Sequence, residues 1–167
     1  SITVDSGTTG VLRGEGGFDP VTNLQFNDTN SLALGQPVTS QNFVVSPIST
    51  MMNEYDSGGS TDYDTFKQKL GLDSNFMIRF DNPFDSLSSA SSNKAAVVNT
   101  QLVVLHEVVD GIHTFNGESA ANKIANAVYT RSGSETSLGD TTFIKDLLTN
   151  LDTEFSPTSD QLVNLSA

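Results

Sequence analysis

The sequence has no cysteine and no tryptophan. The missing cysteine excludes disulfide bonds and thiolate metal sites. A chain of 167 residues needs neither, because a domain of this size buries roughly 70% of its unfolded surface. The missing tryptophan, with only three tyrosines, weighs against a carbohydrate-binding surface, since sugar rings stack on aromatic faces.

Basic residues are also scarce, with 8 lysines and arginines against 20 acidic residues and a net charge of −12. Nucleic-acid binders gain affinity by neutralising phosphates, and anionic membrane surfaces attract basic segments. We therefore expect no nucleic acid among the partners and no membrane insertion. No run of 18 apolar residues is present, so the sequence predicts no transmembrane helix. The expected partners are other proteins or neighbouring modules of the same polypeptide.

The first 45 residues contain four short runs with the composition of strands, at residues 1–7, 9–14, 23–28 and 31–37. Glycine, aspartate and proline separate these runs, which is typical of turns between strands. The pattern predicts hairpins or a small sheet. Such a small sheet needs a larger element to pack against.

From residue 46 the apolar spacing becomes helical. Ser46 followed by Pro47 is typical of a helix start, and Gly71 is typical of a helix end. The segment NFMIRF, residues 75–80, is interpreted as a strand or a buried linker. The longest predicted helix spans about residues 93–115, and its spacing predicts a core-facing stripe of Val98, Leu102, Leu105, Val109 and Ile112.

Two further helices are predicted over residues 119–129 and 140–155. The fold class expected from these elements is α+β, with a short N-terminal β segment of hairpins or a small sheet packed on a mainly helical C-terminal core. The β-rich segment covers residues 1–45 and the helical core residues 46–167, as one integrated domain. Because the chain begins with serine and ends inside a helical pattern, we expect a processed or excised piece of a longer protein.

No cofactor is expected other than Ca²⁺, for which two loops rich in carboxylates offer oxygen ligands. Neither loop follows the order of a calcium-binding EF-hand loop, and ordinary turns and helix caps use the same residue types. The candidate ligands are Asp56, Asp62, Asp64, Asp81 and Asp85.

The two histidines of the chain both lie in the longest predicted helix. His106, Asp110 and His113 share one flank of that helix, so a transition metal could bind them. A zinc-protease helix instead needs H-E-x-x-H, with its histidines one turn apart. We interpret His106 and His113 as residues at the edge of the core, and a metal site as the competing hypothesis.

A composite pattern extends from residue 10 to about residue 115. It combines a double-glycine turn, a Ser-Pro helix start, an LGL helix end and an Asp-x-Pro turn, formed by Gly16, Gly17, Asp19, Thr22, Leu24, Ser46, Pro47, Ser49, Thr50, Leu70, Gly71, Leu72, Asp81 and Pro83. This pattern resembles modules of very large, repetitive bacterial and marine-phage surface proteins. The resemblance implies a spacer or packing module in an adhesin, a cell-surface filament or a virion protein, and it brings no catalytic residues.

The predicted function is a non-enzymatic structural or adhesion module of a larger surface protein, located outside the cell or on its surface. The first alternative is a structural or decoration protein of a virion. The second is a metal-dependent hydrolase that uses the flank of His106, Asp110 and His113. We expect the module to make contact through an apolar patch or a free strand edge, for example by β-augmentation with residues 1–4.

Overall fold

The computed structural model describes residues 11–14, 18, 21–23, 32–35, 44–55, 63–85, 90–112, 119–133 and 138–151. Within these ranges the chain forms helices α1 (Pro47–Tyr55), α2 (Tyr63–Lys69), α3 (Ala90–Ile112), α4 (Ala120–Thr130) and α5 (Thr141–Leu151). Two strands, β1 (Val11–Gly14) and β2 (Leu32–Gly35), pair in antiparallel register, with Val11 opposite Gly35.

The predicted α+β class is wrong. The part of the chain that defines the fold is 66% helix, and an N-terminal β segment as a layer of the fold is not supported. The ribbon of β1 and β2 has only four residues in each strand, and two strands alone are marginally stable in water. The predicted strand at residues 1–7 lies outside the described residues, and so does the predicted strand at residues 23–28 apart from Asn23. The class is therefore helical, and the domain division at residue 45 stays a prediction.

Helix α3 carries the core stripe that the sequence predicts. Ile112 is half-buried, and the helix begins at Ala90 rather than near residue 93. The apolar side of α3 packs against α1 and α4. Its fully buried members in the predicted stripe are Val98, Leu102, Leu105 and Val109.

The same helix is long and apolar enough to cross a membrane, judged by length and composition alone. The span is Asn93–Ile112, with a mean hydropathy of 1.3. The prediction of no transmembrane helix rested on an uninterrupted apolar run, and scattered polar residues divide this span. The core helix of a soluble protein meets the same criterion, and 39% of the span is buried in this fold.

Helix α1 begins at a buried reciprocal cap. The main-chain N–H of Ser46 donates to Oγ of Ser49 at 2.9 Å, and the N–H of Ser49 donates to Oγ of Ser46 at 3.2 Å. The hydroxyl of Thr50 donates to the carbonyl oxygen of Ser46 at 2.8 Å. This arrangement is a capping box with serine in place of the usual Glu or Gln. The prediction of Ser46 as the N-cap is confirmed.

An aromatic cluster joins α1, α2 and α4. Phe66 of α2 is fully buried. Its ring centroid lies 5.1 Å from that of Tyr55 and 5.5 Å from that of Tyr129, within the range of favourable aromatic pairs. Because each ring comes from a different helix, the cluster fixes the position of α2 against the core.

The connection from α4 to α5 is held by charged side chains. The guanidinium of Arg131 lies 3.1 Å from the carboxylate of Asp140, and that carboxylate accepts the N–H of Thr142 at 2.7 Å as the cap of α5. These donors lower the pKa of Asp140 below its usual 3.8, and the N–H of Thr142 has the largest effect.

The ammonium of Lys69 donates to the carbonyl oxygen of Arg131 and, at 2.7 Å, to that of Gly133. The end of α2 is thereby tied to the end of α4.

Candidate functional site

The segment between α2 and α3 turns apolar side chains toward solvent. Met77 is 54% exposed and Phe80 is 37% exposed, whereas Ile78 between them is 5% exposed and belongs to the core. Single exposed apolar residues are common, but these two line the same cavity and so form a patch. The α2–α3 surface is defined by Tyr63, Lys67, Phe76, Met77, Arg79 and Phe80.

The end of α2 sets where this segment starts. Gly71 has a φ of 64°, a left-handed conformation that glycine adopts without strain. Its N–H donates to the carbonyl oxygen of Gln68 at 3.0 Å, and the N–H of Leu72 donates to that of Lys67 at 2.8 Å. This pair of bonds is a Schellman motif, and the buried Leu72 supplies its apolar contact. The predicted helix end at Gly71 is confirmed.

A tight turn then presents Met77 and Phe80. The carboxylate of Asp81 accepts the N–H of Met77 at 2.8 Å. The N–H groups of Phe80 and Asp81 donate to the carbonyl oxygen of Met77 at 2.9 and 2.8 Å. The N–H of Val44 donates to the carbonyl oxygen of Arg79 at 2.9 Å, which fastens the turn to the residues before α1. These hydrogen bonds therefore hold the turn in one conformation in the isolated chain.

A cavity of about 260 Å³ opens on this surface. Its lining contains two cations and no carboxylate, although the chain as a whole carries 20 acidic residues. The guanidinium of Arg79 lies 4.9 Å from the ring centroid of Tyr63 and donates to the Tyr63 hydroxyl. Lys67 lies 2.9 Å from the carboxylate of Asp64, whose side chain is 89% exposed. The charge of Lys67 is thus balanced by Asp64, and Arg79 supplies the positive charge of a cavity whose walls are otherwise apolar.

A second cavity, of about 380 Å³, shares Phe76 and Phe80 with the first in its lining. Its polar lining is Asp81, Asn82 and Asp85. The amide of Asn82 donates to the carboxylate of Asp85 at 3.0 Å. The same two aromatic residues therefore line one cavity that contains Arg79 and another that contains carboxylates.

The structure describes only three of the five predicted calcium ligands, Asp64, Asp81 and Asp85. Asp56 and Asp62 lie outside the described residues. Asp64 pairs with Lys67, and Asp81 accepts a main-chain N–H. Among the described residues, no group of three acidic or histidine side chains comes together as a metal site. Calcium binding by either of the two loops stays a prediction.

The predicted histidine flank is also only partly described. His106 is half-buried on α3, Asp110 is exposed, and His113 lies outside the described residues. The Nδ1 atom of His106 is buried and makes no hydrogen bond within the part of the chain that the structure describes. His106 therefore lies at the edge of the core, and a metal site that includes His113 stays untested.

Carboxylates surround His106 at the junction of α1, α3 and α4. Burial lowers the pKa of His106 below its ordinary value of 6.5. The negative charges of three carboxylates, on Asp110, Glu107 and Glu54, oppose that shift. The carboxylate of Glu54 also accepts the hydroxyl of Ser119, the N-cap of α4, at 2.9 Å. Desolvation of the charged imidazole remains the larger effect, so the folded protein favours neutral His106.

Acid is expected to destabilise the fold through His106. Because its pKa is lower in the folded state, the unfolded chain binds more protons once the pH falls below 6.5. The free energy of unfolding should fall from pH 6.5 downward, and His106 should contribute no pH dependence above that range. Urea midpoints at pH 7.5, 6.5 and 5.5 measure this for the wild type and His106→Gln. A pH dependence that is equal in both proteins would show that His106 is not the responsible group.

Sequence reasoning missed the α2–α3 surface. The segment at residues 75–80 is neither a strand nor a fully buried linker, but a turn in which Ile78 faces inward while Met77 and Phe80 face outward. Local spacing did not indicate this turn, because Phe76, Ile78 and Phe80 alternate with the period of a strand, and Phe76 and Phe80 also have the i, i+4 spacing of a helix.

Comparisons with known proteins give no relative. No protein family, no curated protein and no solved structure matches the chain.

Proposed function

We propose that this chain is a non-enzymatic structural or adhesion module of a larger extracellular surface protein. The observation that carries the proposal is the α2–α3 surface, an exposed apolar patch held in one conformation by main-chain hydrogen bonds. Exposed apolar patches rimmed by polar groups mark protein contact sites. A preformed turn also loses less conformational entropy on binding than a flexible loop does.

The remaining described structure supports a scaffold role. The capped start of α1, the aromatic cluster around Phe66 and the charged connection between α4 and α5 all fix the helices relative to one another. A net charge of −12 disfavours non-specific association. Contact is then expected at the α2–α3 surface, where Arg79 supplies positive charge and apolar groups are exposed. Neither the virion alternative nor the hydrolase alternative has a specific observation in its favour.

The location can be tested on the cells that produce the protein. Antibodies against the purified chain should label intact cells as strongly as permeabilised cells, and external protease should remove the label. A cytoplasmic protein of the same cells serves as the control, and purified virus particles form a third sample. Labelling that requires permeabilisation, or that occurs only on virus particles, would overturn the proposal.

The contact role can be tested by attachment. Producing cells that carry Met77→Ser and Phe80→Ser should attach to surfaces and to one another severalfold less than wild-type cells. Val97→Ser is the matched control, because Val97 is 51% exposed but lies on α3 outside this surface. Equal attachment by the double variant and the control variant would show that the α2–α3 surface makes no functional contact.

A further inference from the structure

We infer that the α2–α3 surface binds an acidic peptide segment of a partner protein, with one apolar side chain in the 260 Å³ cavity and a carboxylate against Arg79. This inference rests on the proposed function, because it names the partner chemistry of the same surface. It depends on three properties of the cavity, which are its charge, the geometry of Arg79 and its size.

Charge complementarity favours an acidic partner. The cavity lining holds two cations and no carboxylate, in a chain whose net charge is −12. Lys67 is paired with Asp64, so Arg79 carries the positive charge that is not balanced there. Within the described ranges, no carboxylate lies at ion-pair distance from Arg79. An acidic segment is repelled by the rest of the protein and attracted at this place, which gives both orientation and specificity.

Arg79 is held in a position suited to a carboxylate. Its guanidinium stacks over the ring of Tyr63 and uses one nitrogen for the bond to the Tyr63 hydroxyl. A guanidinium has five N–H donors in a planar fork, so donors remain for a two-bond contact with a carboxylate. Because the stacked side chain is already ordered, little rotamer entropy is lost when the partner binds.

The size of the cavity limits what can enter it. Pockets for drug-sized ligands measure roughly 300–1,000 Å³, and this cavity is slightly smaller, at about 260 Å³. Phe76, Met77 and Phe80 supply apolar walls that suit one hydrocarbon side chain better than a sugar. The neighbouring cavity with Asp81 and Asp85 repels acidic groups. The carboxylate of the bound segment is therefore expected beside Arg79 and away from Asp81 and Asp85.

Selection from a random dodecapeptide display library, with the whole chain as bait at low ionic strength, tests the partner chemistry. The selected peptides should combine Asp or Glu with a nearby Leu, Ile, Met or Phe. A synthetic consensus peptide with a fluorescent label then gives dissociation constants by anisotropy. Its affinity should fall as salt is added, since the contact includes an exposed ion pair.

Variants assign the binding to this surface. Arg79→Glu and Met77→Ser should each weaken the consensus peptide about tenfold or more, whereas Arg79→Lys should lose less than Arg79→Glu. Lys145→Glu is the matched control for the charge change, because Lys145 is exposed on α5, and it should bind like the wild type. Thermal melts establish that each variant is folded before its affinity is compared.

Three outcomes would overturn the inference: selection of basic or uncharged peptides, no enrichment at all, or equal weakening by Arg79→Glu and Lys145→Glu. These failures are separate from a failure of the proposed function. If intact cells carry the label but the selection yields no acidic peptides, the proposed function stands and only the acidic partner is contradicted. If the label is confined to permeabilised cells, the proposed function itself is contradicted.

Discussion

Replacing Phe66 with alanine is expected to lower the free energy of unfolding by about 3–5 kcal/mol, the range for large-to-small changes at a fully buried phenylalanine. The ring is fully buried and contacts Tyr55 of α1 and Tyr129 of α4. Its removal leaves a cavity where three helices meet and also removes the aromatic pairs. Urea unfolding followed by far-ultraviolet circular dichroism measures the change.

Phe80→Ala is the matched control, because it makes the same chemical change at a ring that is 37% exposed. The expected loss of stability is at most about 1 kcal/mol, since much of that ring already contacts water. Partner binding should show the opposite order of effects. Phe80→Ala should weaken binding, whereas Phe66→Ala should have no direct effect on it. Equal loss of stability in both variants would contradict the assignment of Phe66 to the core.

Ser46→Ala is expected to lower the free energy of unfolding by about 1–3 kcal/mol, because it leaves a buried N–H group without an acceptor. The hydroxyl of Ser46 accepts the N–H of Ser49 at 3.2 Å. Both serines are buried, at 5% and 2% exposure, so water cannot replace the lost acceptor. Thermal or urea unfolding of the variant measures the loss.

A double-mutant cycle with Ser49→Ala tests whether the cap is reciprocal. Since each hydroxyl accepts the other residue's N–H, the double variant should lose less stability than the sum of the single variants, by about 0.5 kcal/mol or more. Ser132→Ala is the control, because Ser132 is exposed after α4, and its effect should be within about 0.5 kcal/mol. Strictly additive losses would mean that the two serines act independently.

Local signals explain which parts of the fold could be predicted from the sequence. The stripe on α3, the cap at Ser46 and the helix end at Gly71 each depend on neighbouring residues, and the structure confirms all three. The α+β class was wrong because four short strand-like runs do not by themselves establish a sheet layer. The pattern of one strand does not show whether enough partners exist to build a sheet.

The candidate site was less predictable because exposure depends on tertiary packing. Nothing local shows that Ile78 is buried while Met77 and Phe80 are exposed, since this depends on the turn closed by Asp81 and on the bond from Val44. The carboxylate of Asp81, which is predicted as a calcium ligand, accepts the main-chain N–H of Met77 in the turn. A carboxylate in a loop suits either role, and the sequence does not distinguish them.

Methionine oxidation tests most directly whether the α2–α3 surface is a contact site. The chain has three methionines, of which Met51 and Met52 are 1% and 2% exposed and Met77 is 54% exposed. Oxidation follows exposure, so Met77 should react first in the isolated chain, and the buried pair serves as an internal control. In the full-length protein on intact producing cells, partner contact should slow oxidation of Met77 severalfold. Oxidation of Met77 at the same rate in both samples would contradict the proposal that this surface is covered in its working state.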